Sequence, residues 1–155
     1  GESGADKPYD FAEWIPDAVI INLGTNDASA FKEPMWRDSY SGRTFKQHKN
    51  ADGSYMRKDV LRLEKAMTDF LTMVRKDNPA AHILWAYGMI GHELSPIIKE
   101  AVENYKKESK DLNVSFLELP DTSEEQMGSL QHPGKKSHEC ATRVIVGYLK
   151  KQLSC

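Results

Sequence analysis

Residues 16–27, PDAVIINLGTND, constrain the fold more than any other stretch of the chain. Val19, Ile20, Ile21 and Leu23 make a short, mostly β-branched apolar run, which suits a strand of a parallel sheet buried on both faces. The run ends in Gly24-Thr25-Asn26-Asp27, a turn-forming cluster placed where open α/β sheets put their chemistry, outside the carboxyl ends of the strands. Parallel strands point those ends to one edge. A loop as distant as Gln131-His132-Pro133-Gly134 can therefore meet this cluster in space.

The remaining elements follow from hydrophobic spacing. Residues 54–76 carry Val60, Leu63, Met67, Phe70, Leu71 and Val74 on one helical stripe, with Asn78-Pro79 as the stop. Residues 82–87 form the next strand, ending at Gly88-Met89-Ile90-Gly91 on the same sheet edge as Gly24. This G-x-x-G lacks the rest of a phosphate-binding pattern, and its backbone is expected to line an acyl or sugar pocket. Residues 94–110 repeat the helical stripe with Ile97, Ile98, Ala101, Val102 and Tyr105, and His92 before them is expected at the surface. Residues 113–119 alternate enough for an edge strand with Val114, Phe116 and Leu117 inward, and residues 136–153 form a last helix striped by Ala141, Val144, Ile145, Tyr148, Leu149 and Leu153. Strand and helix alternate three times. That order implies a single α/β domain spanning residues 1–155, a three-layer α/β/α architecture around a parallel sheet.

Residues 28–55 have no period, and Pro34, Gly42 and Gly53 interrupt them. A loop this long is usually functional or disordered. Phe31, Trp36, Tyr40, Phe45 and Tyr55 among Arg37, Arg43, Lys46 and His48 suit either a platform on which sugars stack or a spacer pinned by its aromatics. Trp36 is the expected ligand contact. Residues 50–54 read as a plain turn, because the later ligands of a calcium loop are missing. At the start, Gly1 to Pro8 reads as linker; Tyr9, Phe11, Trp14 and Ile15 follow as a turn of helix closed by Pro16, with Trp14 packed under the strand edge.

A net charge of −2 with 28% charged residues provides no basic field for nucleic acid and no polybasic patch for a membrane. No apolar run approaches the roughly 18 residues of a membrane-spanning helix. Cys140 and Cys155 on one helix are about 22 Å apart at 1.5 Å per residue, too far for a disulfide with each other. His132, His138 and Cys140 lack zinc-site spacing, so no metal and no cofactor are expected. Glu124 and Glu125 are expected to face solvent. His132, in a Pro- and Gly-flanked loop outside any apolar period, has no packing role and reads as a catalytic base.

Gly-Thr-Asn-Asp after a hydrophobic strand, followed near the C-terminus by His-Pro and a helix, resembles blocks III and V of the SGNH (GDSL-type) hydrolases. WIPDAVIINLGTND is particularly similar to the carbohydrate esterase family 2 branch. The resemblance implies a flavodoxin-like sheet, an extracytoplasmic setting and hydrolysis of a carboxylic ester, with O-acetylated carbohydrate as substrate. Asn26 would serve the oxyanion hole and His132 the base, with Gly24 and Asp27 supporting the oxyanion loop and Met89 beside Trp36 at the substrate.

The departures are as informative. No Gly-Asp-Ser with a strand before it occurs, and Ser3 has no room for one, so the nucleophilic Ser is expected upstream of a chain that carries only the C-terminal half of the domain. The apolar edge of Val19 to Leu23 would then pair with the missing N-terminal half or with a second copy. The Asp that the family usually places three residues before the His is Ser129 here, with Leu130 next; some carbohydrate esterase family 2 members orient the His with a backbone carbonyl instead, and the resemblance implies the same for this ring. The alternative is an inactive SGNH-like domain that binds carbohydrate or protein through its aromatic loop. A nucleotide or response-regulator domain fits less well, since the strand ends carry neither a phosphate loop nor clustered acids.

Overall fold

The computed structural model describes residues 10–153. Gly1 to Pro8, Tyr9, the Ser3 in that stretch and Cys155 lie outside them. In chain order the elements are β1 (Ala18–Ile21), α1 (Thr25–Ala30), β2 (Trp36–Arg37), β3 (Thr44–Phe45), α2 (Arg57–Asp77), β4 (His82–Gly88), α3 (Ser95–Ser109), β5 (Val114–Leu119) and α4 (Lys135–Gln152). Two short 3-10 turns, Glu124–Gln126 and Ser129–Gln131, lie between β5 and α4. The main sheet is parallel with order β1-β4-β5, Ala18 standing opposite His82 and Ile83 opposite Val114.

β4 is buried along its whole length, and its alternation divides the core. Ile83, Trp85 and Tyr87 face Met67 and Leu71 of α2 and Ile98 and Val102 of α3. Leu84 and Ala86 face Ala141 of α4, with Val144, Ile145 and Leu149 packed around it. Two helices cover one face and one the other, which is the expected three-layer α/β/α arrangement. Both crossover helices lie on the same face because successive strands step across the sheet in one direction. Burying side chains such as Leu71 and Ile98, which are fully buried, contributes about 1.5–3 kcal/mol each.

At the amino ends of the strands, Arg75 ties α2 to the turns before β4 and β5. Its Nε donates to Asp111 Oδ2 at 2.7 Å, while its terminal nitrogens donate to the carbonyls of Asn78 (2.8 Å), Ala81 (2.7 Å) and Asn113 (3.1 Å). These carbonyls belong to the turns leading into β4 and β5, and a charged donor adds to their pairing, the Asn113 carbonyl also accepting from Ile83 N at 2.8 Å.

Several expectations are corrected. Residues 25–30 are not a turn but the helix α1, entered through Gly24 at φ 129°, and Ala28 and Phe31 three apart supply its buried side. Trp14 does not pack under the sheet: it is 66% exposed, while Phe11 and Ile15 to either side of it line a hollow with Asn78, Pro79 and Ala81 before β4. Residues 28–55 are not free of structure. β2 and β3 pair antiparallel around a turn in which the Asp38 carboxylate accepts from the backbone of Tyr40 and Ser41. A hydrogen bond from the Ser41 hydroxyl, then these backbone bonds, hold Asp38 below the usual carboxylate range. His48 N and Nδ1 reach Asp59 Oδ2 of α2 at 2.8 and 2.9 Å, and the Phe31 and Tyr55 rings meet at 4.2 Å, pinning the segment to the domain. Asp52 organises the 50–54 turn by accepting from Ser54 N at 2.9 Å.

Two stability tests follow. His82 is buried against Ser115 Oγ at 2.7 Å, and burial, then the Arg75 charge, push its pKa down. The folded state thus binds this proton less readily than the unfolded one, so stability is complete above the ordinary histidine value of about 6.5 and declines as pH falls through it. Urea midpoints measured down that range should drop more steeply for the wild type than for His82→Gln. At Gly24, a Cβ would stand 2.9 Å from the Tyr87 ring as well as requiring φ 129°, whereas Gly53 (φ 84°) has open space around it. Gly24→Ala should cost about 1–3 kcal/mol in urea unfolding, and clearly more than Gly53→Ala.

Candidate active site

The Gly24 corner is held by β4 rather than by its own turn. Beyond the last ladder pair, Asn22 Nδ2 donates to Ala86 O at 2.7 Å and Trp85 Nε1 donates to Leu23 O at 3.0 Å. These two bonds, which no local pattern announces, draw the chain over Tyr87 and Ile98 so closely that only glycine fits at 24. The chain then turns into α1, with Ala28 N donating to Gly24 O at 2.9 Å and Asn26 exposed in the first turn. Asp27 does not brace this turn with its side chain. Its exposed carboxylate instead lines a neighbouring hollow with Phe31, Phe45, Lys46 and Arg62.

Asn26 and Trp36 share one cleft. Its volume is about 560 Å³, and Ser29, Pro34, Met35 and Phe45 complete much of the wall. Trp36 stands 60% exposed against the Phe45 ring, with centroids 5.5 Å apart, so β2 and β3 present a firm aromatic surface beside the oxyanion candidate. The Asn26 amide and the Trp36 ring are thus brought together across the nine residues between them, which finish α1 and run on as loop.

His132 stands apart from that cleft, exposed on a separate loop at the same sheet edge. Gly128 N donates to His132 O at 2.7 Å, His132 N to Ser129 O at 3.1 Å and Gly134 N to Gln126 O at 2.8 Å, closing residues 126–134 into a small antiparallel unit. A Cβ at Gly134 would meet Gln126 O at 2.7 Å, so glycine is required for this closure. Within the loop Leu130 and Gln131 both take left-handed backbone, φ 53° and 59°. That bend turns the Leu130 carbonyl onto His132 Nδ1 at 2.9 Å. A carbonyl only accepts, so Nδ1 carries the proton and Nε2 keeps its lone pair. The orienting group expected in place of an acid at Ser129 is therefore a carbonyl supplied by the next residue.

The turn after β4 has a different role from the one expected. Met89 is 7% exposed, packed among Leu84, Ala86, Leu119 and Ala141, so its side chain belongs to the core between sheet and α4 and not to a substrate surface. Its carbonyl accepts from Thr122 N at 3.0 Å, and the Thr122 hydroxyl bonds the buried Ser137 hydroxyl at the start of α4. This chain of bonds ties the β4 turn to the helix that carries the His132 loop. Gly88, φ 139°, lets Leu119 O and His92 come within 3 Å of where a Cβ would be. His92 is half-buried rather than at the surface, its Nε2 on Leu119 O at 2.7 Å. Glu124 and Glu125 are exposed, and Cys140 is free and half-buried.

Comparison with known proteins agrees with this layout. The family model described as GDSL-like lipase/acylhydrolase matches residues 5–145. Among solved structures, the acetyl xylan esterase Est2A from the rumen bacterium Butyrivibrio proteoclasticus is 47% identical with a TM-score of 0.91, covering 94% of this chain and 39% of its own. A family two carbohydrate esterase from Clostridium thermocellum, solved with cellohexaose, is 27% identical with a TM-score of 0.67, over 93% of this chain and 38% of that one. The cellulase/esterase CelE of Acetivibrio thermocellus is 26% identical over 150 residues, 94% of this chain but 15% of its own length. The chain thus spans about two-fifths of the solved structures it matches, and with the family model running through both the Gly24 corner and the His132 loop, it belongs to the GDSL-like lipase/acylhydrolase family.

Proposed function

We propose that this chain supplies the oxyanion donor and the general base of an esterase that removes acetyl groups from a polysaccharide. The observation that carries the reading is the His132 Nδ1 contact with the Leu130 carbonyl, which in the neutral ring puts the proton on Nδ1 and the lone pair on Nε2, on an exposed residue. In the reaction, His132 Nε2 takes the proton of an attacking serine hydroxyl and returns it to the departing sugar alcohol. Asn26 Nδ2–H donates to the oxygen that becomes negative in the tetrahedral intermediate. Trp36, backed by Phe45, offers the apolar face of a sugar a flat surface next to that amide.

The serine, in this proposal, comes from a segment N-terminal to residue 1, whose strand would lie against the open side of β1. Ile20 on that strand and Leu23 just after it are 47% and 55% exposed, and β1 has a ladder partner on one side only among the described residues. An apolar strand with a free edge is a place where another strand pairs. The similarity to Est2A and to the family two enzyme, which cover this chain nearly whole, supports acetylated polysaccharide as the substrate class.

The first test is acetyl-ester hydrolysis by this chain alone and by the chain joined to its upstream segment. Activity should occur in the joined protein, vanish in His132→Ala and fall about 100- to 1000-fold in kcat in Asn26→Ala. No activity in either form overturns the esterase reading and leaves a carbohydrate-binding domain. The second test reads the ring directly. Long-range 1H–15N spectra should show His132 as the Nδ1–H tautomer in the wild type and in Leu130→Gly, which keeps positive φ at no cost. Leu130→Pro fixes φ near −65°, turns the carbonyl away and should lose that tautomer preference.

A further inference from the structure

Beside the Trp36 cleft lies a second hollow of about 300 Å³, walled by Met35, Phe45, Lys46, Lys58, Asp59 and Arg62. Phe45 lines both, so the two form one continuous surface. Its charge is unbalanced. Within the hollow three cations meet one carboxylate, and that carboxylate is already engaged: Asp59 is buried and accepts from His48 N and Nδ1 at 2.8 and 2.9 Å, while Asp27 and Glu33 line the adjoining hollow and the Trp36 cleft respectively. Lys46 Nζ is held by the carbonyls of Phe31 and Glu33. Lys58 and Arg62 are exposed and form no hydrogen bond or close ion pair among the described residues. They stand four residues apart on one face of α2, within its first two turns, where the helix end adds positive potential.

We infer that this hollow is a subsite for a carboxylate-bearing sugar, a hexuronate unit of the polysaccharide substrate. The inference rests on the carbohydrate reading above and goes beyond it. An aromatic and a thioether wall, Phe45 and Met35, suit the C–H face of a pyranose, and an exposed guanidinium such as that of Arg62 suits a carboxylate. A neutral sugar would use the wall and leave two cations unmatched. The joined surface thus reads a neutral sugar at Trp36 and an acidic one beyond Phe45.

The test is a calorimetric or NMR titration of this chain with a xylotetraose and with the same xylotetraose carrying one glucuronic acid. The acidic ligand should bind about tenfold tighter at low salt, and the gap should narrow as salt rises. Arg62→Gln and Lys58→Gln, both at exposed positions, should each shrink the gap, and the double variant should erase it without weakening the neutral ligand. Trp36→Ala should weaken both ligands alike. Equal binding of the two ligands by the wild type overturns the subsite while the carbohydrate reading stands. A gap that survives in the double variant also overturns it, and absence of binding by either ligand overturns both.

Discussion

The whole arrangement depends on β4 being covered on both faces and both edges. A seven-residue strand with every position buried cannot leave any backbone group unpaired, and β1 and β5 supply the two ladders. Its alternation then assigns the helices, α2 and α3 to the side of Ile83, Trp85 and Tyr87, α4 to the side of Leu84 and Ala86. The same strand also reaches past its own ladder. Through Trp85 Nε1 and Ala86 O it holds Asn22 and Leu23, which sets Gly24 on Tyr87 and aims α1 toward the Trp36 hairpin. The site inherits its position from the core.

How far the sequence could carry this depends on length scale. The three long helices were legible because each repeats its apolar stripe over several turns, and β4 because His82 through Tyr87 is an unbroken apolar and aromatic run. α1, six residues with one buried position, is too short to show a period, so a strong turn signature at Gly24-Thr25-Asn26-Asp27 hid a helix. β2 and β3, two residues each, show no alternation at all, and only Trp36 against Phe45 reveals why the hairpin exists. Asn26, Trp36 and His132 were readable one at a time. Their placement was not: the cleft that joins Asn26 to Trp36 is made by tertiary contacts, and the distant pairing of His48 with Asp59 that steadies it has no local signature.

Trp14 and Met89 were misread for the same reason in opposite directions. Apolar neighbours argued that Trp14 was buried, but it is Phe11 and Ile15 to either side of it that line the hollow before β4, and Trp14 stays exposed. A place after a strand argued that Met89 met substrate, but α4 packs down over this side of the sheet and takes Met89 into the core. Whether a side chain at a strand end faces solvent is decided by the element above it, which hydrophobic spacing does not report.

A carbonyl in place of an acid changes what the His132 loop must do. A carboxylate both orients an imidazole and stabilises its charged form; a carbonyl dipole orients it and contributes less once the proton has arrived. Orientation by a residue only two positions away requires the backbone to double back, and Leu130 and Gln131 do so in left-handed conformations that cost non-glycine residues of order 1–3 kcal/mol each. Such strain persists only where the surroundings over-determine it. Here the closure of residues 126–134 by Gly128 and Gly134, and the Met89, Thr122 and Ser137 bonds behind α4, leave the loop no relaxed alternative. The His132 ring is thereby held by backbone geometry anchored in the core, with serine and not an acid at position 129.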